Sequence, residues 1–331
     1  MKVAVFSSKP YDEKHINEGN IKAKLDIDYF EPRLTENTAA LAQGYDAVCC
    51  FVNDVINKKV AQQLSDGGVK LIAMRCAGFN NVDLDACAAL NIPVARVPEY
   101  SPNAVAEHAV ALMLDLNRNI HRAFSRIREN DYSLNGLIGF GLNGKTVSVV
   151  GGGKIGIALI KIMKGFGCRV LCYDPMPSEA LIETGVELVD LEQVWVESDV
   201  ISLHCPLIRP TYHIINTNTI SQMKRGVMLV NTSRGGLIDT PAVIQALKCG
   251  QIGYLGLDVY EEEANLFFED YSNKVLQDDV FARLTTFKNV VITGHQAFFT
   301  RESLQAIAET TINNITYFFD DEIDKVCLIK A

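Results

Sequence analysis

The sequence predicts an α/β protein built on parallel β-sheets, and three observations support this fold class. Short apolar runs rich in β-branched residues, typical of buried strands, alternate with helix-like stretches of about ten residues. The alternation occurs in two series, which a long helical segment near residues 101–130 separates. The chain of 331 residues is also long enough for about two domains, at roughly 150 residues per domain.

The first series alternates predicted strands with helix-like stretches, two of which are at residues 59–65 and 83–90. Strands that are buried on both faces read as continuous apolar runs, and parallel strands need helical crossovers between them. The series therefore indicates a parallel sheet with helices on its faces. Its predicted strands are residues 3–6, 28–30, 47–51, 71–73 and 93–97.

The helical segment begins at Ser101 and Pro102, a capping residue followed by proline at the first helical position. Residues 104–116 are then mostly Ala, Val, Leu and Met. A helix of this composition should be buried on most of its surface, as a helix between two domains would be.

The second series predicts a second parallel sheet, followed by a helix at residues 302–319 near the end of the chain. Its strands show the same apolar, β-branched pattern. They are predicted at residues 146–150, 169–173, 200–204, 227–231, 254–257 and 290–293.

The composition excludes several classes of protein. The chain has 48% hydrophobic and 21% charged residues, and its formal net charge of −9 gives no general attraction for nucleic acid or anionic lipid. No apolar stretch approaches the roughly 18 residues that span a bilayer, and no secretory signal is apparent. The nine cysteines include no Cys-x-x-Cys pair, so we expect reduced thiols, no metal site and a cytoplasmic location.

A glycine motif follows the first strand of the second series. Gly151, Gly153 and Gly156 fit the pattern G-x-G-x-x-G directly after residues 146–150 and before a predicted helix at 155–164. The first glycine allows a tight turn, the second lets the backbone approach a pyrophosphate, and the third lets the helix pack close to the sheet. The helix amino end then favours phosphate binding. The motif predicts a dinucleotide site.

Asp174 strengthens this prediction and bears on the choice of dinucleotide. It ends the next strand, 18 residues beyond Gly156, where an acidic residue accepts hydrogen bonds from the adenosine ribose. A carboxylate there would repel a 2′-phosphate, and the following Pro175 and its neighbours supply no arginine to receive one. We therefore expect NAD rather than NADP.

Three further residues follow strands of the second series, so they should meet at the sheet edge that carries the glycine motif. Arg234 offers a planar fork of donors that suits a carboxylate, and His295 can exchange a proton near neutral pH. Glu263 could orient the imidazole of His295. With a nicotinamide, these residues suit hydride and proton transfer at a 2-oxo or 2-hydroxy acid.

Each of these residues also has a structural interpretation. Arg234 could lie on the surface, and Glu263 belongs to an acidic run that could be a solvated face. Among the other histidines, His204 is the most serious rival of His295, because it also follows a strand. His15 and His121 look like surface residues, and His108, on the apolar helix, is expected to pack at the domain boundary.

The chain resembles the D-isomer-specific 2-hydroxyacid dehydrogenase family along essentially its whole length, most closely the lactate branch. The glycine motif, Asn-Thr-Ser-Arg-Gly and Gly-His-Gln-Ala carry the resemblance together. The segments involved are residues 75–83, 97–102, 106–108, 199–206, 231–235, 256–261 and 294–298.

The resemblance implies an NAD-dependent, reversible reduction of pyruvate to D-lactate. Arg234 would bind the substrate carboxylate, His295 would be the general acid and base, and Glu263 would be its partner. Ala77, Gly78, Tyr100 and Phe298 would contact the substrate with Arg234. The cofactor-binding positions would be Gly151, Gly153, Lys154, Ile155, Gly156, Asp174, Pro175, His204, Cys205, Pro206, Thr211, Thr232, Ser233, Arg234, Asp258, His295 and Ala297.

The resemblance also implies two doubly wound parallel-sheet domains with a cleft between them. Residues 1–100 and 297–331 would form a flavodoxin-like substrate domain, and residues 101–296 a Rossmann NAD-binding domain. A homo-oligomer, a dimer or tetramer, is expected through the apolar helix at 104–116. Two other functions stay open: a dehydrogenase for a larger 2-oxo acid, and an NAD-sensing regulatory scaffold.

Overall fold

The computed structural model describes residues 1–329, which form two compact units. One unit consists of Met1–Ser101 together with the chain from Phe299 onward, and the other of Pro102–Phe298. Ala297 and Phe298 thus belong to the second unit, whereas the sequence interpretation placed residues from 297 onward in the first. The backbone N–H of Ala297 donates to the Asp258 carboxylate, which ties this segment to the second unit.

The first unit contains a five-stranded, fully parallel sheet in the order β2-β1-β3-β4-β5. This is the flavodoxin-like order, which confirms the predicted fold class. The strands are β1 (Lys2–Val5), β2 (Asp26–Tyr29), β3 (Ala47–Cys50), β4 (Leu71–Met74) and β5 (Val94–Arg96).

The second unit contains a seven-stranded parallel sheet in the order β12-β11-β10-β9-β6-β7-β8. The strand order reverses between β6 and β9, as at the switch point of a Rossmann fold, where ligands bind beyond the strand ends. The strands are β6 (Thr146–Val150), β7 (Arg169–Tyr173), β8 (Glu187–Leu188), β9 (Val200–Leu203), β10 (Val227–Asn231), β11 (Ile252–Leu257) and β12 (Val290–Ile292).

Helices cover both sheets, and many begin at a side chain that caps free N–H groups. Asn57, for example, accepts from the N–H groups of Lys59 and Val60. The α-helices are α1 (Pro10–Asn20), α2 (Lys58–Asp66), α3 (Leu84–Ala89), α4 (Pro102–Arg118), α5 (Ile120–Arg128), α6 (Lys154–Gly165), α7 (Glu179–Ile182), α8 (Leu191–Glu197), α9 (Thr217–Gln222), α10 (Thr240–Cys249), α11 (Asp279–Thr285) and α12 (Arg301–Phe319).

Side chains of the second sheet alternate between two hydrophobic cores, one on each face. Along β10, Val227 and Leu229 belong to one core, while Met228 and Val230 belong to the other. Burial on both faces explains why the strands read as continuous apolar runs. In the first unit, β1, β3 and β4 pack with α12 in a core of its own.

The helical segment at 101–130 is two helices rather than one. The break is at Asn119, whose φ of +53° lies in the left-handed region that asparagine tolerates. Helix α4 is packed into the second unit, with Ala109, Met113 and Leu116 almost fully buried. Helix α5 has no buried residue. Exposed large apolar side chains are therefore present on α5, whereas residues 104–116 have none.

Two further searches within residues 1–329 concern membrane spans and metal sites. None of these residues belongs to a helix long and apolar enough to cross a membrane. No group of three or more His, Cys, Asp or Glu side chains in this part of the chain could hold a metal ion.

Candidate active site

The glycine loop joins β6 to α6, and its three glycines differ in what surrounds them. A Cβ on Gly151, which has a φ of +103°, would lie 2.6 Å from the backbone nitrogen of Cys205. A Cβ on Gly156 would lie 2.1 Å from the carbonyl oxygen of Gly151. A Cβ on Gly153, in contrast, would meet nothing within 4 Å. Two glycines serve packing, and the third leaves open space at the start of α6.

Three features at this edge of the second sheet fit a dinucleotide. Within residues 1–329 no side chain caps α6 at Gly153, and the N-terminus of a helix favours an anion. The hydroxyl of Thr232 is buried and has no hydrogen-bond partner within residues 1–329. Asp174 stands at the end of β7, where its carboxylate accepts the N–H groups of Gly152 and Met176 at 2.7 and 2.8 Å. Pro175 beside it is exposed.

The segment after β9 faces the glycine loop and is held by local hydrogen bonds. Ser233 Oγ donates to the carbonyl of Cys205 at 2.7 Å, which joins this segment to the turn after β10. Thr211 Oγ1 donates to the carbonyl of Pro206 at 2.6 Å and closes the intervening turn.

His204, the rival histidine, lies in this segment, and it has no carboxylate partner among residues 1–329. Its Nε2 lies 2.8 Å from Ser202 Oγ. Burial lowers the pKa of His204 to about 4, because the charged imidazolium loses its hydration. At neutral pH the ring is therefore uncharged, which argues against His204 as the proton donor.

Arg234 lies in a rigid turn after β10. The Asn231 side chain accepts the N–H of Ser233 at 3.0 Å and donates to the carbonyl of Arg234 at 2.8 Å. A Cβ on Gly235 would lie 2.1 Å from the carbonyl carbon of Tyr260, so the turn packs directly on the backbone after β11. This close approach brings Arg234 to the segment that carries Glu263.

Glu263 and His295 form the hydrogen-bonded pair that the sequence suggested. His295 Nδ1 lies 2.7 Å from Glu263 Oε1, and the second carboxylate oxygen accepts the N–H of Tyr260 at 2.8 Å. Both side chains keep part of their surface exposed, 16% for His295 and 21% for Glu263. The carboxylate thus favours hydrogen on Nδ1, which leaves Nε2 as the nitrogen that can exchange a proton with a ligand.

Asp258 holds the segment that carries His295. Its carboxylate is fully buried and accepts the N–H groups of Gln296 and Ala297, both at 2.8 Å, and the hydroxyl of Thr293 at 2.5 Å. Burial by itself would raise its pKa, but hydrogen bonds from His108, Thr293 and the two N–H groups hold the pKa below its ordinary value. Asp258 was expected from the resemblance to contact the cofactor, and here its oxygens are used within the protein.

His108 is the residue that the sequence analysis missed. It was expected only to pack at the domain boundary, but its Nε2 lies 3.0 Å from Thr293 Oγ1 and 3.3 Å from Asp258 Oδ1. The available signal was a histidine on an otherwise apolar helix face, which needs a polar partner when it is buried.

The expected substrate-contacting residues fall in both units. Ala77, Gly78 and Tyr100 belong to the first, whereas Phe298 is the last residue of the second and is buried. The carbonyl of Ala77 accepts Arg96 Nη1 at 2.8 Å, and the carbonyl of Gly78 lies 3.2 Å from Cys76 Sγ. These contacts give the loop at 77–78 a defined backbone.

Comparisons with known proteins give a consistent result. The chain matches the family described as D-isomer specific 2-hydroxyacid dehydrogenase, NAD binding domain, over residues 110–297. It is 55% identical over 316 residues to D-lactate dehydrogenase of Escherichia coli strain K12, and the alignment covers 96% of each chain.

Two solved structures share the whole fold. The pyruvate reductase of Chlamydomonas reinhardtii has a TM-score of 0.91 and 45% identity over 97% of both chains. The D-lactate dehydrogenase of Aquifex aeolicus complexed with NAD and lactic acid has a TM-score of 0.86 and 33% identity over 98% of this chain and 97% of that one. Since the family match spans the glycine loop and all three strand-end residues, the chain belongs to the D-isomer specific 2-hydroxyacid dehydrogenases, and its cofactor is NAD.

Proposed function

We propose that this protein is an NAD-dependent D-lactate dehydrogenase that reduces pyruvate reversibly. The observation that carries the proposal is the His295–Glu263 pair, in which a fixed carboxylate orients an imidazole whose other nitrogen can exchange a proton. The relatives from E. coli and A. aeolicus, which bear the name D-lactate dehydrogenase, support the choice of substrate.

In the proposed reaction, bound NADH would supply a hydride to carbon 2 of the 2-oxo acid. His295, protonated on both ring nitrogens, donates the proton of Nε2 to the developing alkoxide and becomes neutral, while Glu263 accepts the hydrogen bond of Nδ1 and stabilises the imidazolium before the transfer. In the reverse direction, His295 accepts that proton. Arg234 binds the substrate carboxylate with its planar fork, so that the keto group is held in one orientation.

We propose that the dinucleotide is held by the loop at 151–156 with Lys154 and Ile155, by Asp174 and Pro175, and by the segments at 204–211 and 232–234. Asp174 disfavours a 2′-phosphate, because two negative groups would then meet at the end of β7. We expect kcat/KM with NADH to exceed that with NADPH by at least tenfold. A preference for NADPH would contradict this assignment.

The assay that tests the function is NADH oxidation with a panel of 2-oxo acids, followed by determination of product chirality. We expect pyruvate to be the best substrate and the D-isomer to be the product. A higher kcat/KM with a larger 2-oxo acid would assign the protein to another specificity in the same family. NADH binding without turnover of any 2-oxo acid would favour the regulatory scaffold.

We also propose that the protein is a cytoplasmic homo-oligomer, a dimer or tetramer. The free cysteines support a reducing compartment. Helix α5 supports self-association, since Ile120, Phe124 and Ile127 lie on one face and are 54%, 61% and 55% exposed.

Light scattering after size exclusion tests the oligomer. The Phe124→Glu variant should shift the mass toward the monomer, because a charge would replace an apolar contact. Glu129→Gln, an exchange at an exposed polar position just beyond this helix, is the control. An unchanged mass for both variants would place the interface elsewhere.

A further inference from the structure

His108 belongs to a cluster of polar side chains, with Thr293 and Asp258, that contacts the backbone of the proposed catalytic segment. It is on α4, which packs against β11 and β12, the strands that lead to Asp258 and Thr293. Its Nε2 lies 3.0 Å from Thr293 Oγ1 and 3.3 Å from Asp258 Oδ1. Its side chain is 18% exposed, while that of Asp258 is not exposed at all.

The geometry fixes the direction of the hydrogen bonds. Thr293 Oγ1 lies 2.5 Å from Asp258 Oδ1, so its single hydrogen is donated to the carboxylate. The oxygen of Thr293 can then only accept a hydrogen bond from His108. Nε2 of His108 therefore carries a hydrogen, and the cluster is a chain from His108 through Thr293 to Asp258.

This chain ends on the backbone that carries His295. The Asp258 carboxylate accepts the N–H groups of Gln296 and Ala297, and the main-chain carbonyl of Asp258 accepts the N–H of His295 at 2.7 Å. The φ of His295 is +53°, a left-handed conformation that is unfavourable for most side chains. The hydrogen bonds to Asp258 compensate for this cost.

We propose that His108 is a positioning residue for His295. By donating from Nε2 to Thr293 and Asp258, it fixes the orientation of the Asp258 carboxylate and thereby the backbone from which the imidazole of His295 projects. His108 touches neither the reacting atoms nor Glu263 in this role. The inference rests on the proposed function, because it presupposes that His295 transfers the proton.

Kinetics of matched variants test the proposal. His108→Leu removes the donor at similar volume, His108→Gln keeps an N–H donor at similar reach, and Glu107→Gln changes the exposed neighbour on the same helix. With the 2-oxo acid that the wild type reduces fastest, we expect His108→Leu to lower kcat about tenfold and to leave the Kd for NADH within twofold. His108→Gln should recover kcat to within about threefold of wild type, and Glu107→Gln should match the wild type.

Hydrogen exchange of the cofactor-free protein provides a second readout. In His108→Leu, the amides of Gln296 and Ala297 should exchange at least tenfold faster than in Glu107→Gln, because their acceptor is no longer fixed. Exchange in β6 and α6 should be unchanged. If His108→Leu fails to fold, Thr293→Val removes the hydroxyl between His108 and Asp258 and should give the same two effects in smaller measure, because the direct contact of His108 with Asp258 remains.

Three results would overturn the proposal: an unchanged kcat in His108→Leu, equal losses in His108→Leu and His108→Gln, or a loss of NADH binding that accounts for the whole effect. A wild type that reduces no 2-oxo acid would refute the proposed function instead. In that case the exchange measurement still tests whether His108 holds the backbone at 296–297.

Discussion

The two units each contain a buried aspartate that holds a loop beyond a parallel strand, yet the two loops differ in what they carry. Asp54, which follows β3, accepts the hydroxyl of Ser7 and the N–H groups of Leu34 and Phe51. Asp258, which follows β11, likewise accepts one hydroxyl and two N–H groups. The same set of donors therefore stabilises a loop in both units.

The two carboxylates differ in the basic side chain that lies near them. Burial raises the pKa of Asp54, and the charge of Arg75 together with the three hydrogen bonds offsets this rise only in part. Asp258 has His108 as a direct partner, and its pKa is lowered. The Asp258 loop alone also presents a partly exposed imidazole paired with a carboxylate. A buried carboxylate is thus a structural device, and function depends on what its loop presents.

The largest expected effect is on the group that the Asp258 loop presents. His295→Asn should lower kcat by about two to four orders of magnitude, the usual contribution of general acid and base catalysis. Asparagine tolerates the left-handed φ, so the fold should be retained. Steady-state kinetics measure the loss, and the thermal midpoint serves as the control. A kcat within threefold of wild type would exclude His295 as the proton donor.

The comparison of the two aspartates is tested by Asp54→Asn and Asp258→Asn. Each exchange turns an amide NH₂ toward N–H donors, so the free energy of unfolding should fall by about 2 to 4 kcal/mol in both. Activity per folded molecule should fall at least tenfold only in Asp258→Asn. Denaturant unfolding and kcat separate the two effects. Equal losses of kcat would mean that the loops do not differ in function.

A third buried group, His204, should affect stability with pH. Its pKa is lowered to about 4, so the unfolded chain binds a proton below about pH 6.5 that the folded chain does not. Stability is therefore fully present above that pH and is lost as the pH falls toward 4. Relative to His204→Gln, the wild type should lose about 2 to 3 kcal/mol between pH 7 and pH 4.5. Parallel unfolding curves for the two proteins would contradict this cause.

The smallest expected effect is on the Kd for NADH, and two glycines of α6 allow it to be distinguished from an effect on folding. Gly153 is the N-cap of α6, and Gly165 is its last residue. A Cβ added at either position would meet nothing within 4 Å. Gly153→Ala should raise the Kd for NADH about tenfold, because the protein backbone approaches the pyrophosphate there. Gly165→Ala should leave the Kd unchanged. If both variants bind NADH like the wild type, the loop does not contact the pyrophosphate.

Much of the fold and of the site follows from the sequence because both depend on short-range patterns. Continuous apolar runs identify strands buried on both faces, and ligands bind at the strand ends of such sheets. Arg234, Glu263 and His295 each follow a strand by a few residues, so their approximate location could be predicted. The hydrogen bond between Glu263 and His295 in the structure agrees with that placement.

The parts that could not be predicted depend on distant contacts. His108 and Thr293 are 185 positions apart, and no local pattern connects them. The apolar composition of residues 104–116 indicates burial but not the partner, which proved to be the core of the second unit. The full burial of Asp258 is likewise invisible in the sequence, because an acidic residue after a strand is compatible with a ligand contact or with internal hydrogen bonds.

The N–H groups of three successive residues, 295 to 297, all donate hydrogen bonds to oxygens of Asp258. Proline lacks this hydrogen, so the segment is closed to proline at each of these positions. Side-chain variation is restricted as well, since Ala297 is buried and His295 carries the imidazole. Gln296 alone is exposed and tolerates exchange without a change of backbone. Within this stretch, therefore, only position 296 can be randomised without disturbing the backbone. Libraries for a changed substrate preference should target other segments.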